Sequence, residues 1–351
     1  MLYLGNIPFK KDQIMTKVLF IGLGSAGQRH LRILIKILGT KDAEFFCYRS
    51  SKRNLLIDDN LKTKNIKSLE KYYKIKGVSS QNLNKYKFDI VYITNPIYRH
   101  MYFALKFAKL GANIFIEKPL SHNLNNVSLL SRIAKKNKIK ICIGYQLRFH
   151  PGIQFIKEII KKKKLGNMLD GTFHFGEYLP LMHKYENYIQ THMAKKKEGG
   201  GAVLCLSHEV DLVRYLLGEP KILSSSIKKL SNLKIDVEDK LNAKLKFEKN
   251  VLINLEVNFI DNPSKHFINL NFEHGVVTWD YIDNCVFYVN NKKNIKKKIV
   301  FKKFKRNMMF VDQAKNFINS IKYNKKMVTD IKEGIKTLKL CILLKKNGIK
   351  K

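Results

Sequence analysis

Lys118 stands between Glu117 and Pro119, directly after the apolar run Asn113-Ile114-Phe115-Ile116. A lysine at the carboxyl end of a buried strand, fixed by a following proline, is poorly solvated and easily tuned in pKa. Such a group can exchange a proton with a substrate hydroxyl while a nicotinamide takes the hydride. The plainer reading is a surface lysine in a turn. A second constellation is Gly22-Leu23-Gly24-Ser25-Ala26-Gly27, after the apolar run from Lys17 to Ile21 and before a helically spaced segment from Gln28. In that strand–turn–helix context GxGxxG cradles a dinucleotide. Gly22 allows the tight turn, Gly24 lets a pyrophosphate approach the backbone, and Gly27 lets helix pack closely on strand. The phosphates then meet the positive end of the helix.

These groups need a scaffold. Strands are expected at Ala43 to Tyr48, Phe88 to Ile93, Asn113 to Ile116 and Lys140 to Ile143, with helices over about 98–110 and 123–137. Residues 50–68 read as a polar stretch. Continuous apolar strands alternating with helices predict a parallel sheet covered on both faces. Ligands of such sheets bind outside the carboxyl ends of the strands. Gly22 to Gly27, Thr94-Asn95-Pro96 and Glu117-Lys118-Pro119 all fall there.

The pattern changes near residue 146. A helix over about 151–164, a strand and loop over 168–190, and a helix from Gly199-Gly200-Gly201 to about 217 come first. Period-two segments follow at 241–247, 251–257 and 267–272, half-buried antiparallel strands of one open sheet. Helices return at about 309–321 and 331–346. The fold class expected is an α/β Rossmann domain followed by an α+β domain with an open, mainly antiparallel sheet. Residues 1–14 form an extension of unassigned role, 15–145 the NAD(P)-binding domain, and 146–351 the substrate-binding and oligomerisation domain. The C-terminal helices are free to pack back on the first domain. A cleft is expected between the two.

An NAD site usually carries an acid at the end of the second strand, about 20 residues after the glycines. Here that region reads Tyr48-Arg49-Ser50-Ser51-Lys52-Arg53, with three cations, hydroxyls and no acid. Arg49 and Ser50 therefore favour NADP(H) over NAD(H), against the plainer reading of background charge.

That background is large: 67 Lys+Arg against 28 Asp+Glu in 351 residues, formally +39. Nucleic-acid binding needs cations gathered on one face, whereas these are spread through every segment alongside many Asn, Ile, Phe and Tyr. No specific nucleic acid is expected; anionic small molecules are favoured. No apolar run reaches about 18 residues, so no membrane span is expected. Cys47, Cys142, Cys205, Cys285 and Cys341 form no CxxC pair, which points to a reducing compartment and the cytoplasm. No HExxH or other metal spacing occurs, and no metal is expected.

The glycine turn, Thr94-Asn95-Pro96, Glu117-Lys118-Pro119, and Gly199-Gly200-Gly201 followed by Ser207-His208-Glu209-Val210-Asp211 form one ordered set. From about Lys17 to Lys346 it resembles the Gfo/Idh/MocA oxidoreductases, the glucose–fructose oxidoreductase and inositol dehydrogenase family. Gly144 to Pro151 is similar to the segment linking that family's domains. Gly176-Glu177-Tyr178-Leu179-Pro180 and Tyr188 resemble a subgroup linked to surface-sugar biosynthesis.

The resemblance implies NAD(P)-dependent hydride transfer at a ring carbon of a sugar, sugar derivative or cyclitol, by a homodimer or homotetramer. Lys118 matches the catalytic lysine, and His208 the histidine that shuttles a proton or orients substrate. Asp211, one turn on, shares the helical face of His208 and would orient that imidazole or bind a hydroxyl. The cofactor would meet Gly22, Gly24, Ser25, Ala26, Gly27, Arg49, Ser50, Thr94, Asn95, Glu117 and Lys118. Tyr145, Arg148 and His150 fall at the domain junction. Arg148 there would either hold a phosphate or carboxylate in bidentate fashion or tie the domains together. Tyr188, His192 and Lys195 precede the glycine run on the substrate side, while His100 and His183 read as structural or exposed. Many members carry an acid three or four residues before the histidine; this chain has Leu204 and Cys205, so a carboxylate partner of His208 is unassigned. Two alternatives stay open: an NAD-dependent glycosidase acting by transient oxidation, and a non-catalytic nucleotide or sugar sensor.

Overall fold

The computed structural model describes residues 15–51 and 53–348. The expected extension over residues 1–14, and Lys52 of the basic loop, lie outside them. The chain divides into two units, one reaching to Gly144 and including Phe310–Ile335, the other comprising Tyr145–Met309 and the residues from Lys336 onward.

The first unit runs β1 (Thr16–Ile21), α1 (Ser25–Leu38), β2 (Ala43–Tyr48), β3 (Leu55–Ile57), β4 (Thr63–Asn65), α2 (Leu69–Tyr73), β5 (Lys76–Gly77), β6 (Ile90–Ile93), α3 (His100–Lys109), β7 (Asn113–Ile116), α4 (Val127–Lys136) and β8 (Ile141–Ile143). Six of these strands form one sheet in the order β5-β2-β1-β6-β7-β8, and every pairing is parallel. Both faces are covered, so Val18, Leu19, Phe20 and Ile21 are all buried and no period-two alternation survives in β1. At its centre Tyr92 stacks on Phe20 at 5.1 Å and on Phe115 at 4.6 Å. β1 lies between β2 and β6, so the strand order reverses there, and the ends of β1, β6 and β7 carry Gly22, Thr94 and Glu117.

Residues 50–68 are more ordered than their polarity predicts. β3 and β4 form an antiparallel hairpin over them. It is held by a side chain outside that window: Gln28 Oε1 accepts from Ile57 N at 3.0 Å, and Gln28 Nε2 donates to Leu55 O at 2.8 Å.

The second unit runs α5 (Pro151–Lys161), β9 (Met168–Gly176), α6 (Leu179–Met182), α7 (Ala202–Cys205), α8 (His208–Leu217), β10 (Lys221–Lys228), β11 (Lys240–Lys246), β12 (Leu252–Asn258), β13 (Lys265–Phe272), β14 (Gly275–Asp280), β15 (Cys285–Asn290) and β16 (Ile295–Val300). Its eight strands are ordered β10-β11-β12-β9-β13-β14-β15-β16, all antiparallel except β12 with β9. Burial alternates along β13: His266, Ile268, Leu270 and Phe272 are buried, while Phe267, Asn269 and Asn271 are partly exposed. One face of this sheet is therefore core and the other is open.

Two helices close the chain, α9 (Asn307–Tyr323) and α10 (Ile331–Gly348). From Phe310, α9 belongs to the first unit, where Phe310 and Phe317 join its core and Gln313 Nε2 donates to Ile143 O at 3.0 Å. From Lys336, α10 belongs to the second, where Ser225 Oγ donates to Leu344 O at 2.8 Å. Among the described residues, no helix is long and apolar enough to cross a membrane.

Candidate active site

The glycine turn at the end of β1 has the geometry its sequence implies. Gly22 sits at φ +95°, where an L side chain is strained, and a Cβ there would meet Asn95 N at 3.2 Å. A Cβ on Gly27 would collide with Gly22 O and lie 2.7 Å from Thr94 Oγ1, so this glycine lets α1 pack onto the turn. Gly24 is different: a Cβ there meets nothing within 4 Å. Gly24 is also the N-cap of α1, no side chain caps that end, and no acid lies in the first turn. The amides following Gly24, including those of Ser25 and Ala26, lack helical acceptors. This is an open cradle of backbone donors, and it fits a pyrophosphate. Gly24→Val should raise the dissociation constant for NADH at least tenfold while leaving the thermal midpoint unchanged. An equal affinity would mean that no phosphate approaches this turn.

Thr94 and Asn95 support that turn. Thr94 Oγ1 donates to Gly22 O at 2.8 Å, and Thr94 N to Ile21 O at 3.0 Å. Asn95 Oδ1 is buried without a hydrogen-bond partner. His100 is buried, its ring nitrogens 2.8 Å from Asn95 O and 3.0 Å from Pro119 O. It thereby links the loops after β6 and β7, a structural role.

Glu117 and Lys118 follow β7, with a cis bond to Pro119. Glu117 Oε1 lies 2.7 Å from His30 Nε2, and Glu117 Oε2 accepts from Lys118 N at 3.1 Å. Burial pushes the Glu117 carboxyl up, but the His30 contact and the Lys118 charge outweigh it and hold it below the usual carboxylate range. His30 itself is buried on α1, with Phe115 at 4.6 Å and Phe310 at 5.7 Å. Opposite, a Cβ on Gly144 would come 3.1 Å from Lys118 N. The lysine backbone is thus held by the Glu117 carboxylate and packed against Gly144, while its side chain is half-buried.

At the end of β2, Arg49 is not surrounded by cations alone. Its Nε donates to Glu70 Oε1 at 2.8 Å. The expectation of no acid here holds only for neighbours in sequence; α2 supplies one. Ser50 follows Arg49 and is exposed.

In the second unit, the glycine run ends in two helices rather than one. α7 stops at Cys205, Leu206 takes φ −101° and ψ 27°, and α8 starts at His208. Before α7, Gly200 and Gly201 are closely packed: a Cβ on the first would collide with His192 O 2.6 Å away and Met193 O, and one on the second with the Glu238 carboxylate. His208 is therefore a first-turn residue, buried, with Gln146 Nε2 3.3 Å from its Nε2 and the Tyr145 ring at 5.8 Å. Tyr145 is wholly buried, and burial pushes its phenol well above the ordinary value, so it stays neutral.

Asp211 differs from its expected use. Its Oδ1 accepts from Arg148 Nη2 at 2.7 Å and Thr337 Oγ1 at 2.9 Å, and its Oδ2 from Arg148 Nε at 2.8 Å. Both side chains of the pair are essentially buried, at 2% and 1% exposure. The bidentate edge of Arg148 is thereby occupied. Arg148 and Asp211 belong to the same unit, so this ion pair does not tie the two domains. Arg148 also lies 4.6 Å over the Tyr215 ring.

Glu209 faces the opposite way, its Oε2 2.9 Å from His266 Nε2. His150 caps α5, its Nδ1 accepting from Gly152 N at 3.0 Å. Burial, with the charge of His266, pushes its imidazole down to about 3. The unfolded chain binds that proton near pH 6.5, so stability present above pH 6.5 falls as the pH drops toward 3. Between pH 7 and pH 5 the loss is about 2 kcal/mol. His150→Asn retains the cap without titrating, and its denaturant midpoint should fall less over that range. A parallel fall would exclude His150 as the source.

Tyr188 Oη accepts from Lys234 N at 3.3 Å, and Lys195 Nζ pairs with Glu198 at 3.3 Å. His192 precedes Lys195 in a short turn, and His183 pairs with Glu186 at 3.1 Å. His30, Gln28, Glu70, Thr337 and His266 are supporting residues that no sequence motif marks, since their partners lie far away in the chain.

Two family profiles match the chain. Residues 16–145 match the oxidoreductase family, NAD-binding Rossmann fold, and residues 153–278 match the GFO/IDH/MocA C-terminal domain. Glucose-6-phosphate 3-dehydrogenase of Bacillus subtilis is 25% identical over 68% of this chain and 62% of its own length. Oxidoreductase P35 of Formosa agariphila is 24% identical over 37% of this chain and 41% of its own. The matches thus span about two fifths to three fifths of these relatives. The WlbA dehydrogenase of Chromobacterium violaceum, solved with NADH and UDP-GlcNAcA, is 20% identical. It superposes with a TM-score of 0.78 over 96% of this chain and 95% of its own, a likeness of fold.

Proposed function

The chain belongs to the Gfo/Idh/MocA oxidoreductases, and from that premise we propose that it transfers a hydride to or from a ring carbon of a sugar, a sugar derivative or a cyclitol. The observation that carries this reading is the placement of Lys118 at the end of β7, on the strand ends that also carry the Gly24 cradle. Gly24, Ser25, Ala26 and Gly27 hold the pyrophosphate, and Thr94 and Asn95 shape the turn behind it. A nicotinamide dinucleotide bound there supplies the hydride acceptor or donor. Lys118 takes the hydroxyl proton as the ring carbon is oxidised and returns it in the reverse direction. Glu117, anchored on His30, positions the lysine backbone. His208 orients a substrate hydroxyl at the start of α8, and the buried Arg148–Asp211 ion pair braces that helix.

The cofactor form is a finer question. Arg49 and Ser50 support NADP(H), and the Glu70 carboxylate beside Arg49 opposes it. The substrate class draws on the glucose 6-phosphate and UDP-GlcNAcA named for relatives, and a place in surface-sugar biosynthesis rests on the Gly176–Pro180 and Tyr188 resemblance. The open face of the second unit's sheet supports self-association as a dimer or tetramer. Lys244, Asn254, Thr172, Asn269, Thr278 and Phe287 form one register row across it. A monomer in sedimentation would contradict that. The five buried thiols support a reducing, cytoplasmic setting.

The test is absorbance at 340 nm with NAD⁺ or NADP⁺ and a panel of nucleotide sugars, sugar phosphates and inositols. Reduction with one ring class is expected. Cleavage of an aryl glycoside without net reduction would favour the glycosidase instead.

A further inference from the structure

The basic segment after β2 contains a charge arrangement that the hydride-transfer reading leaves unexplained. Tyr48 O accepts from Gly22 N at 2.9 Å, so Arg49 leaves its strand beside the glycine turn. Its guanidinium is held on every nitrogen. Nε donates to Glu70 Oε1 at 2.8 Å, Nη2 stands 2.7 Å from that oxygen and donates to Asn54 Oδ1 at 3.0 Å, and Nη1 donates to Arg53 O at 3.0 Å. Glu70 is fixed in turn, its Oε2 accepting from Ser68 Oγ at 2.8 Å. Asn54 is fixed by donating Nδ2 to Lys67 O at 2.8 Å. The pair is mostly buried, at 12% exposure for the Arg49 side chain and 26% for Glu70.

We infer that Glu70 is the residue that sets the form of the dinucleotide, by neutralising Arg49 so that the end of β2 accepts NAD(H) and disfavours the extra phosphate of NADP(H). This rests on the dinucleotide reading. The acid that an NAD site ordinarily carries at the end of its second strand comes here from α2, 21 residues further on. A 2′-phosphate meeting this pair gains no net Coulomb attraction, faces a carboxylate, and must displace existing bonds to reach Arg49. Burial opposes ionisation of Glu70. Its own amide, Ser68 and Arg49 outweigh that and hold it below the usual range, so the charge persists at neutral pH. The discrimination is thus repulsive, built by a counter-charge rather than by a new contact to the favoured cofactor.

The test is a fluorescence titration of the full chain with NADH and with NADPH, for wild type, Glu70→Gln and the double variant Arg49→Gln/Glu70→Gln. Wild type should bind NADH at least tenfold more tightly. Glu70→Gln is isosteric: its Oε1 can still accept from Arg49, and its Nε2 can donate to the Ser68 hydroxyl. It should bind NADPH at least tenfold more tightly than wild type does, with NADH affinity within about twofold. The double variant should lose that gain, because the gain requires the freed arginine. NADPH affinity of Glu70→Gln should also weaken more steeply with salt than that of wild type. A wild-type preference for NADPH, or an unchanged ratio in Glu70→Gln, would overturn the inference while leaving the dinucleotide reading intact. Failure of wild type to bind either cofactor would overturn both.

Discussion

Lys118→Ala should lower turnover about a thousandfold, within the usual range for losing a positioned acid–base group, while NADH affinity should stay within about twofold. The backbone that positions Lys118 survives the substitution: Glu117 remains paired with His30 at 2.7 Å, and Gly144 still packs against the residue 118 amide. The cradle at Gly24 lies on a different strand end and is untouched. Lys118→Arg should not rescue turnover, since a guanidinium does not give up its proton in this pH range. Steady-state rates with the substrate found at 340 nm, set beside NADH titration of the same variants, separate chemistry from binding. Retained turnover in Lys118→Ala would remove the lysine from the reaction.

Asp211→Ala should destabilise the protein by about 3–5 kcal/mol, the usual cost of removing one partner from a buried ion pair. Arg148 is 2% exposed and would be left with its bidentate edge facing a cavity. Thr337 would lose its acceptor too, and Arg214 Nη1, which donates to Thr337 Oγ1 at 2.7 Å, depends on that position. Replacing both charges, as in Arg148→Met/Asp211→Leu, should cost less than the single change, because no uncompensated charge stays buried. Denaturant midpoints of the three proteins measure this. A single-variant loss under about 1 kcal/mol would show that the pair is solvated and that Asp211 is available for another partner.

The parts of the site that were legible in sequence are those fixed by local chemistry. Gly22, Gly24 and Gly27 announce their backbone requirements wherever they occur after a buried strand. The apolar runs ending in Thr94 and Glu117 announce a parallel sheet, because strands covered on both faces have no alternation. The alternating segments from Leu241 to Phe272 are equally plain. The parts that were not legible depend on partners distant in sequence. Asp211 looked like a neighbour of His208 because both lie on α8, whereas its oxygens bond to Arg148 and Thr337, 63 and 126 residues away. The hairpin within 50–68 has no strong strand pattern, since Gln28 on α1 supplies its order. Arg49 is unopposed among its neighbours in sequence because Glu70 lies beyond the end of the basic loop. The break between α7 and α8 has no sequence marker because neither Leu206 nor Ser207 is a helix-breaking residue type.

A nicotinamide dinucleotide held at the Gly22 to Gly27 turn would serve the chemistry of Lys118, and the fluorescence of NADH titrated with the wild-type protein and with Gly24→Val decides whether it binds there. A saturable change at micromolar protein, lost or weakened at least tenfold in Gly24→Val, is the predicted result. No change with the wild-type protein, or an equal response from both, would contradict it.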